Sequence, residues 1–346
     1  MYGLISLYIT FLAKKKGEKG AYYNNLINSF IFLISITINI LIVNLFHLSN
    51  VAFIVFPFDI FLIIFIILFI PLFYLMIYRE IRKMKMKKVL RKDFSPLPKE
   101  LPFKYEIYRK LTHLIVLQII FFYFTLGFYV QNIFVYILEE LPDFFSELFF
   151  SIYNIEANKM IFTQYLVVFL VGISLIGLFT ADFIRILKPK IYPLKPVNRI
   201  LREKELHMRL GPHISTGIGC FSIIILFGLF QPIGPLIICV SMTMAIFGDM
   251  TSNLFGRTFG RKKIRNTSKT YEGLFTGMAV AFISGEILLI LLREFIFTNI
   301  IALFLLPIIG SLIIGILDYL DLEVDDNLTY IFTLSTVLFF ISIFIL

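Results

Sequence analysis

Residues 234–273 read GPLIICVSMTMAIFGDMTSNLFGRTFGRKKIRNTSKTYEG, an apolar run that changes at Gly248 into a polar, basic stretch. The polar part, residues 248–273, contains Asp249, four glycines and six cations. Apolar runs lie on both sides of it. In a strongly apolar chain, a polar segment of this kind is expected only where it contacts water or takes part in a reaction. The pattern therefore predicts a ligand-binding site at a bilayer surface.

The composition of the whole chain indicates a membrane protein. Of its 346 residues, 59% are hydrophobic and 16% are charged, and the mean hydropathy is +0.89. Runs of about 20 apolar residues recur, each long enough to cross the roughly 30 Å of bilayer hydrocarbon as a helix. Continuous apolar runs, rather than short alternating strands, argue against a β-barrel. We therefore predict an all-α, polytopic membrane bundle of about nine transmembrane helices, or ten with the N-terminal segment.

The apolar runs give the predicted spans. The segment Met1–Ala13 is apolar and is followed by Lys14–Lys16, so it is either a short first span or an interfacial helix. The two cysteines, Cys220 and Cys239, lie within apolar runs and are expected to pack as small hydrophobic side chains. The predicted spans are residues 27–46, 60–78, 112–138, 161–181, 213–230, 234–248, 274–292, 298–317 and 328–346.

The loops between these spans alternate in charge. Residues 79–110, 182–210 and 249–273 are basic, whereas residues 139–159 are acidic. Because Lys and Arg concentrate in cytoplasmic loops, the basic loops and residues 318–327 are predicted on the cytoplasmic face. Glycosylation at the Asn266 and Asn327 sequons is then not expected. The net charge of +9 is spread over these membrane-flanking loops, which argues against nucleic-acid binding.

The polar segment has the residue types that a phosphorylated ligand requires. Phosphoryl transfer needs a divalent cation, positive charges and backbone N–H groups around the phosphates, and an acid or base near the acceptor. Asp249 is predicted where the 234–248 helix emerges, with Asn253 one turn further on the same face. Gly248 would let backbone approach a ligand closely.

Two more glycines lie among the cations of this segment. Gly256 and Gly260 are predicted to interrupt the helix, and KTYEG at 269–273 opens the next span. The combination of GD, GRTFGR and KTYEG within 26 residues predicts binding of a phosphate-bearing ligand. The cations predicted in the intervening loop are Arg257, Arg261, Lys262, Lys263 and Arg265.

The segment GDMTSNLFGRTFGRKK…SKTYEG resembles a signature shared by two groups of membrane enzymes. One group is the polyprenol-type lipid kinases, which include dolichol kinase, phytol kinase and CTP-dependent diacylglycerol kinase. The other is the CDP-diglyceride synthetases, the phosphatidate cytidylyltransferases. The resemblance implies CTP as co-substrate and Mg²⁺ or another divalent cation as cofactor, at a membrane-embedded site.

Weaker similarities at three other places distinguish these groups. RKLTH at 109–113 is similar to the RKxxH motif of the kinases, and DDNLT at 325–329 resembles an element near their end. DFIR at 182–185, REKE at 202–205 and HISTG at 213–217 are similar, in that order, to further kinase elements. These similarities favour the kinases.

Some features point towards the synthetases instead. Residues 250–253, MTSN, depart from the small residues usual after GD in the kinases. KTYEG is closer to the synthetases' KTWEG, and GILDYLD at 315–321 echoes their GxLDRxDS segment. However, Tyr319 and Leu322 replace its Arg and Ser, and other synthetase elements are missing. The kinase interpretation is therefore preferred.

The resemblance implies a division of roles among the candidate residues. Asp249, with Asp325 and Asp326 as candidates, would hold the metal. Lys269 would act with Asp249 in catalysis, and either Glu272 or His113 would orient or deprotonate the lipid hydroxyl. The nucleotide-binding candidates are Gly248, Arg257, Gly260, Arg261, Lys262, Lys269 and Asn327.

The predicted function is a CTP-dependent lipid kinase, a phosphotransferase that acts on a long-chain isoprenoid alcohol of the dolichol or polyprenol type at the cytoplasmic membrane face. Its partners would be the lipid alcohol, CTP and membrane lipids. Residues 1–110 would form an N-terminal membrane region with a basic loop, and residues 111–346 the catalytic membrane domain. The alternatives are a cytidylyltransferase that forms a CDP-activated lipid and a non-catalytic transporter or lipid-binding protein.

Overall fold

The computed structural model describes residues 1–45, 57–86, 102–144, 146–147, 159–265, 267–294 and 299–346. Residues 87–101 of the basic 79–110 loop, most of the acidic 139–159 loop and Asn266 of the first sequon lie outside these residues. The helices are α1 Tyr2–Lys15, α2 Lys19–Leu45, α3 Phe58–Met86, α4 Phe103–His113, α5 Gln118–Phe121, α6 Gly127–Glu139, α7 Lys159–Leu187, α8 Glu203–Leu206, α9 Pro212–Phe227, α10 Ile233–Phe259, α11 Tyr271–Leu291, α12 Ile300–Leu320 and α13 Asp326–Ile345.

The predicted all-α membrane bundle is confirmed. Eight helical segments are long and apolar enough to cross a bilayer, and α9 is a shorter apolar helix of 16 residues. Helices α4 to α6 form one of these eight, a continuous helical segment with a 3₁₀ turn at Leu114–Leu117 and a π turn at Phe122–Leu126. No strand occurs in the part of the chain that the structure describes, where an isolated bridge joins Lys263 to Thr270.

The N-terminal helices pack into the bundle. Helix α1 contacts α2 through a hydrogen bond of 2.6 Å between the hydroxyls of Ser6 and Ser29. Helix α2 begins at Lys19, well before the predicted span at 27, because Asn24 and Asn25 are buried by protein. The Asn39 amide donates to the carbonyl oxygen of Ile225 at 2.6 Å, which ties α2 to α9.

Helix α10 forms the centre of the bundle, and its predicted end was wrong. The apolar run predicted at 234–248 continues as one helix of 27 residues to Phe259, and 83% of its most apolar window is buried. Asp249 therefore lies inside a buried helix rather than at a helix end. Gly256 does not interrupt the helix, and Arg257 lies in its last turn rather than in a loop. The helix ends at Gly260, whose N–H donates to the Gly256 oxygen at 3.1 Å.

Glycines allow α10 and α11 to pack backbone against backbone. A Cβ on Gly277 would lie 2.8 Å from the Ser252 Cβ and 2.9 Å from the Gly248 carbonyl oxygen. A Cβ on Gly273 would lie 2.9 Å from the Gly256 Cα. Small residues permit such close approach between membrane helices, where dispersion contacts drive association. This packing fixes the polar half of α10 relative to the start of α11.

Gly277→Ala tests this helix contact. The added methyl group has no free space, so we expect a loss of about 1–3 kcal/mol of stability, measured as a lower melting temperature in detergent. Gly20→Ala is the matched control, because a Cβ there meets nothing within 4 Å. Equal melting temperatures for the two variants would contradict the close packing.

Candidate functional site

The polar motifs meet around one cavity of about 960 Å³, at the upper end of the range usual for small-molecule sites. Helix α4, the 202–209 segment, α10, residues 268–270, the end of α12 and the start of α13 each contribute to its wall. The lining residues are Phe103, Arg109, Lys110, Arg202, Glu203, Glu205, His207, Arg209, Asp249, Ser252, Asn253, Gly256, Arg257, Ser268, Lys269, Thr270, Asp318, Asp321, Leu322, Val324, Asp325, Asp326 and Asn327.

A buried ion pair joins α4 to α10 at the wall of this cavity. The Lys110 ammonium donates to the Asp249 carboxylate, and both residues are at least nine-tenths buried. The Asn253 amide donates to the other Asp249 oxygen at 2.6 Å, as the predicted spacing of one helical turn allows. Such a carboxylate needs a counter-charge because an unpaired charge in a membrane interior is costly. Lys110 provides it.

Glu106 holds a cluster of arginines beside this pair. Its buried carboxylate accepts from Arg109 at 2.6 Å and from Arg202 at 3.1 Å, and it lies 3.5 Å from Arg257. Arg109 also donates to Glu205 at 3.3 Å. These contacts bring the RKLTH motif of α4, the REKE segment and the last turn of α10 together. Glu106 is one turn before Arg109 on the helix, which is why it can reach the same cluster.

Lys269 contacts three carboxylates at another part of the cavity wall. Its ammonium lies 2.9 Å from Asp318, 3.1 Å from Asp321 and 3.3 Å from Asp326. Burial by itself lowers the pKa of Lys269, but these carboxylates outweigh it and raise the pKa above its ordinary value. The stabilisation from this cluster is therefore present below the ordinary lysine pKa and is lost as the pH rises through the raised one.

The DDNLT segment forms the first turn of α13. The Asp325 side chain caps the helix by accepting from the Asn327 backbone N–H at 3.1 Å and from the Asn327 amide at 2.6 Å. The Asp325 N–H donates to the Asn24 side chain at 2.9 Å. Asp325 is therefore committed to structure, whereas Asp326 faces Lys269 and the cavity.

His113 lies next to the main cavity. It is buried, its Nδ1 is 3.4 Å from the Thr216 hydroxyl, and its Nε2 has no hydrogen-bond partner among the described residues. The small space beside it holds about one water-sized volume, 10 Å³, and is also lined by Asp249, Asn327 and Tyr330. His113 thus shares a wall with Asp249.

Six of the residues selected from the sequence line the large cavity, and they come from three separate segments of the chain. They are Asp249, Arg257, Lys269, Asp325, Asp326 and Asn327.

The remaining predicted residues do not line the large cavity. Gly248 packs against Gly277 of α11, and Gly260 ends α10. Arg261 and Lys262 are exposed, and the Glu272 carboxylate accepts the Lys262 backbone N–H at 3.2 Å. This contact makes Glu272 part of the turn that connects α10 to α11.

Several cavity residues were not selected as site residues from the sequence. Lys110 and Arg109 were visible in the RKLTH motif, and Asp318 and Asp321 in GILDYLD, but nothing local marked them as partners of Asp249 or Lys269. Glu106 had no signal beyond its helical spacing from Arg109.

The donor set of the cavity suits a hard cation. Among the described residues, no three His, Cys, Asp or Glu side chains form a ready metal-binding group. Mg²⁺, however, is usually bound by one or two carboxylates together with substrate phosphates and water. Asp249 and Asp326 supply carboxylate oxygens in this cavity, with the Asn253 and Asn327 amides beside them. These oxygens fit a divalent cation.

No protein-family model, curated protein or solved structure matches this chain. The resemblance to lipid kinases and CDP-diglyceride synthetases therefore remains a prediction.

Glu106→Gln tests the buried arginine cluster. Removing the carboxylate leaves up to three guanidinium groups without this partner, so we expect a loss of about 3–5 kcal/mol of stability, as for other broken buried pairs. Glu80→Gln is the control, because Glu80 pairs with Lys83 and Lys195 at the surface, and its loss should cost about 1 kcal/mol or less. Thermal unfolding in detergent measures both. An unchanged melting temperature for Glu106→Gln would contradict the cluster.

Proposed function

We propose that the protein is a CTP-dependent kinase that phosphorylates the hydroxyl of a long-chain lipid alcohol of the polyprenol type. The observation that carries this proposal is the convergence of four separated segments on one cavity with both cationic and carboxylate walls. These segments are 109–110, 202–209, 249–270 and 318–327. A triphosphate needs the cations, and a divalent counter-ion needs the carboxylates. A membrane bundle can hold the lipid tail beside them.

The cavity residues have distinct roles in the proposed reaction. Lys269 and Arg257 hold the phosphates by charge-assisted hydrogen bonds. The lipid hydroxyl oxygen attacks the γ-phosphorus, the bond from this phosphorus to the β-phosphate bridging oxygen breaks, and CDP leaves. The hydroxyl proton passes to a base; His113, with its unpartnered Nε2 beside Asp249, is better placed than Glu272.

Asp249 is the centre of this arrangement. Lys110 pairs with its carboxylate and Asn253 orients it. A divalent cation, when bound, would be held by Asp249 and Asp326 and would neutralise charge on the phosphates. This requirement explains why a carboxylate lies inside the most buried helix.

We also propose that the cavity faces the cytoplasm. Its lining includes residues of the basic 182–210 and 249–273 segments, and basic segments beside membrane spans belong on that side.

A cytidylyltransferase that joins CTP to a lipid phosphate is the second candidate. Asp318 and Asp321, from the segment that echoes the synthetases, line the same cavity and contact Lys269. This reaction would release pyrophosphate rather than CDP and would place the α-phosphorus in the lipid.

Parallel assays with α-labelled and γ-labelled CTP distinguish these functions. The purified protein is incubated with Mg²⁺ and either a polyprenol mixture or lipid phosphates. The kinase proposal predicts lipid label from the γ position and release of CDP. Lipid label from the α position alone would replace the kinase with a cytidylyltransferase. The absence of any CTP consumption would reject both.

Asp249→Asn tests the proposed role of this carboxylate. We expect turnover to fall by about three orders of magnitude or more, because the proposed divalent cation loses one of its two carboxylate ligands and no longer neutralises the phosphates. Size-exclusion profile and melting temperature show whether the variant folds, since Lys110 loses its counter-charge. Asp59→Asn, at an exposed carboxylate at the start of α3, is the control. Retained turnover in Asp249→Asn would reject this assignment.

A further inference from the structure

Arg209 differs from every other cation of the large cavity. The other five, Arg109, Lys110, Arg202, Arg257 and Lys269, each contact at least one carboxylate. Arg209 makes no ion pair and no side-chain hydrogen bond with the described part of the chain. It is only 5% exposed, and its Nε has no partner there.

An unpaired guanidinium in such a position needs an anion. Arginine remains protonated at any ordinary pH, so it cannot avoid the cost of burial by losing its charge. Burying a charge without a partner is expensive. Arg209 lines the cavity, where a ligand can reach it.

The backbone around Arg209 is fixed by side chains from three other parts of the fold. The Asn25 amide donates to the Met208 oxygen at 2.8 Å, and the Asn25 oxygen accepts from the Leu210 N–H at 2.9 Å. Arg185 donates to the Arg209 carbonyl oxygen at 2.8 Å.

Two further contacts complete this clamp. Glu18 accepts from the Met208 N–H at 3.1 Å, and Asp182 accepts from the Gly211 N–H at 3.0 Å. These buried or part-buried contacts hold the main chain on both sides of Arg209, while its own side chain contacts no carboxylate. A segment fixed in this way presents a preorganised donor to a ligand.

We propose that Arg209 forms a phosphate-binding subsite of the cavity. The ligand group is a phosphate ester or a polyphosphate, which guanidinium binds through two parallel hydrogen bonds. Within the proposed function, on which this inference rests, the phosphate belongs either to the nucleotide or to a lipid monophosphate. Asn25 is the positioning residue, because it holds the backbone on both sides of Arg209.

Arg209→Gln tests the subsite by direct binding. The probes are CTP, inorganic pyrophosphate and a short-chain prenyl monophosphate, each titrated into detergent-solubilised protein by calorimetry. We expect binding of at least one probe to weaken about 10- to 100-fold, with partial recovery in Arg209→Lys. Arg199→Gln is the control, because Arg199 is exposed in the same loop region and does not line the cavity.

Thermal unfolding separates this role from a structural one. Arg209→Gln breaks no ion pair with the described residues, so the ligand-free variant should melt at or above the wild-type temperature. A lower melting temperature together with unchanged binding would make Arg209 a structural residue and would overturn the inference.

The probes identify the source of the phosphate. They also separate a failure of the Arg209 inference from a failure of the proposed function. Weaker binding of CTP and pyrophosphate alone assigns the subsite to the nucleotide, and weaker binding of the prenyl phosphate alone assigns it to the lipid.

If the wild type binds and turns over CTP but Arg209→Gln binds every probe as tightly as the wild type does, only the inference fails. If pyrophosphate binds through Arg209 but CTP is not consumed, only the proposed function fails. No binding of any probe to the wild type would reject both.

Discussion

The ion pair between Lys110 and Asp249 is the interaction on which the site depends. Asp249 lies in α10, the most buried of the long helices, where an unpaired carboxylate would be strongly unfavourable. Its counter-charge comes from α4, 139 positions earlier in the chain. The pair therefore fixes α4 against α10 beside the cavity, and Glu106 and Arg109, on the same helix as Lys110, join Arg202 and Arg257 to them.

Ion pairs between distant segments also connect the rest of the cavity wall. Lys269 forms ion pairs with Asp318, Asp321 and Asp326, so charges of both signs line a site next to a hydrophobic bundle. Glycines at 248, 256, 273 and 277 bring α10 and α11 together closely enough to place Lys269 beside these carboxylates. The close helix packing therefore positions the charged side chains, and the ion pairs between these side chains hold the helix ends together. Arg209 departs from this pairing, which is why a ligand anion is expected there.

Hydropathy predicted most of the fold, because a helix that crosses a bilayer needs about 20 apolar residues wherever it lies in the chain. Hydropathy did not predict the helix bounds correctly where a polar helix face is covered by protein. The span at 234–248 was predicted to end before Asp249 and the helix to be interrupted at Gly256, although α10 continues to Phe259, with polar side chains that line a cavity and glycines that pack against α11. The start of α2 was missed for the same reason, since Asn24 and Asn25 bond to the backbone of distant segments.

The site was only partly predicted from the sequence, and the reason differs from that for the fold. Motifs that lie within one segment, such as GD and KTYEG, could be recognised locally, and Asp249, Lys269 and Asp326 do line one cavity. The partners of these residues depend on tertiary contacts. Helical spacing pairs Glu106 with Arg109 but gives no signal for Arg202 or Arg257, and nothing local pairs Asp318 with Lys269. Arg209 is distinguished only by having no ion pair and no side-chain hydrogen bond with the described residues.

The most direct measurement is an experimental structure of the protein in a lipid nanodisc with Mg²⁺ and CTP. We expect triphosphate density in the cavity bounded by Lys110, Lys269 and Asp249, with Arg209 in contact with a phosphate group. Nucleotide bound elsewhere, or a structure in which 109–113 and 325–327 do not share a cavity with 249–269, would contradict it.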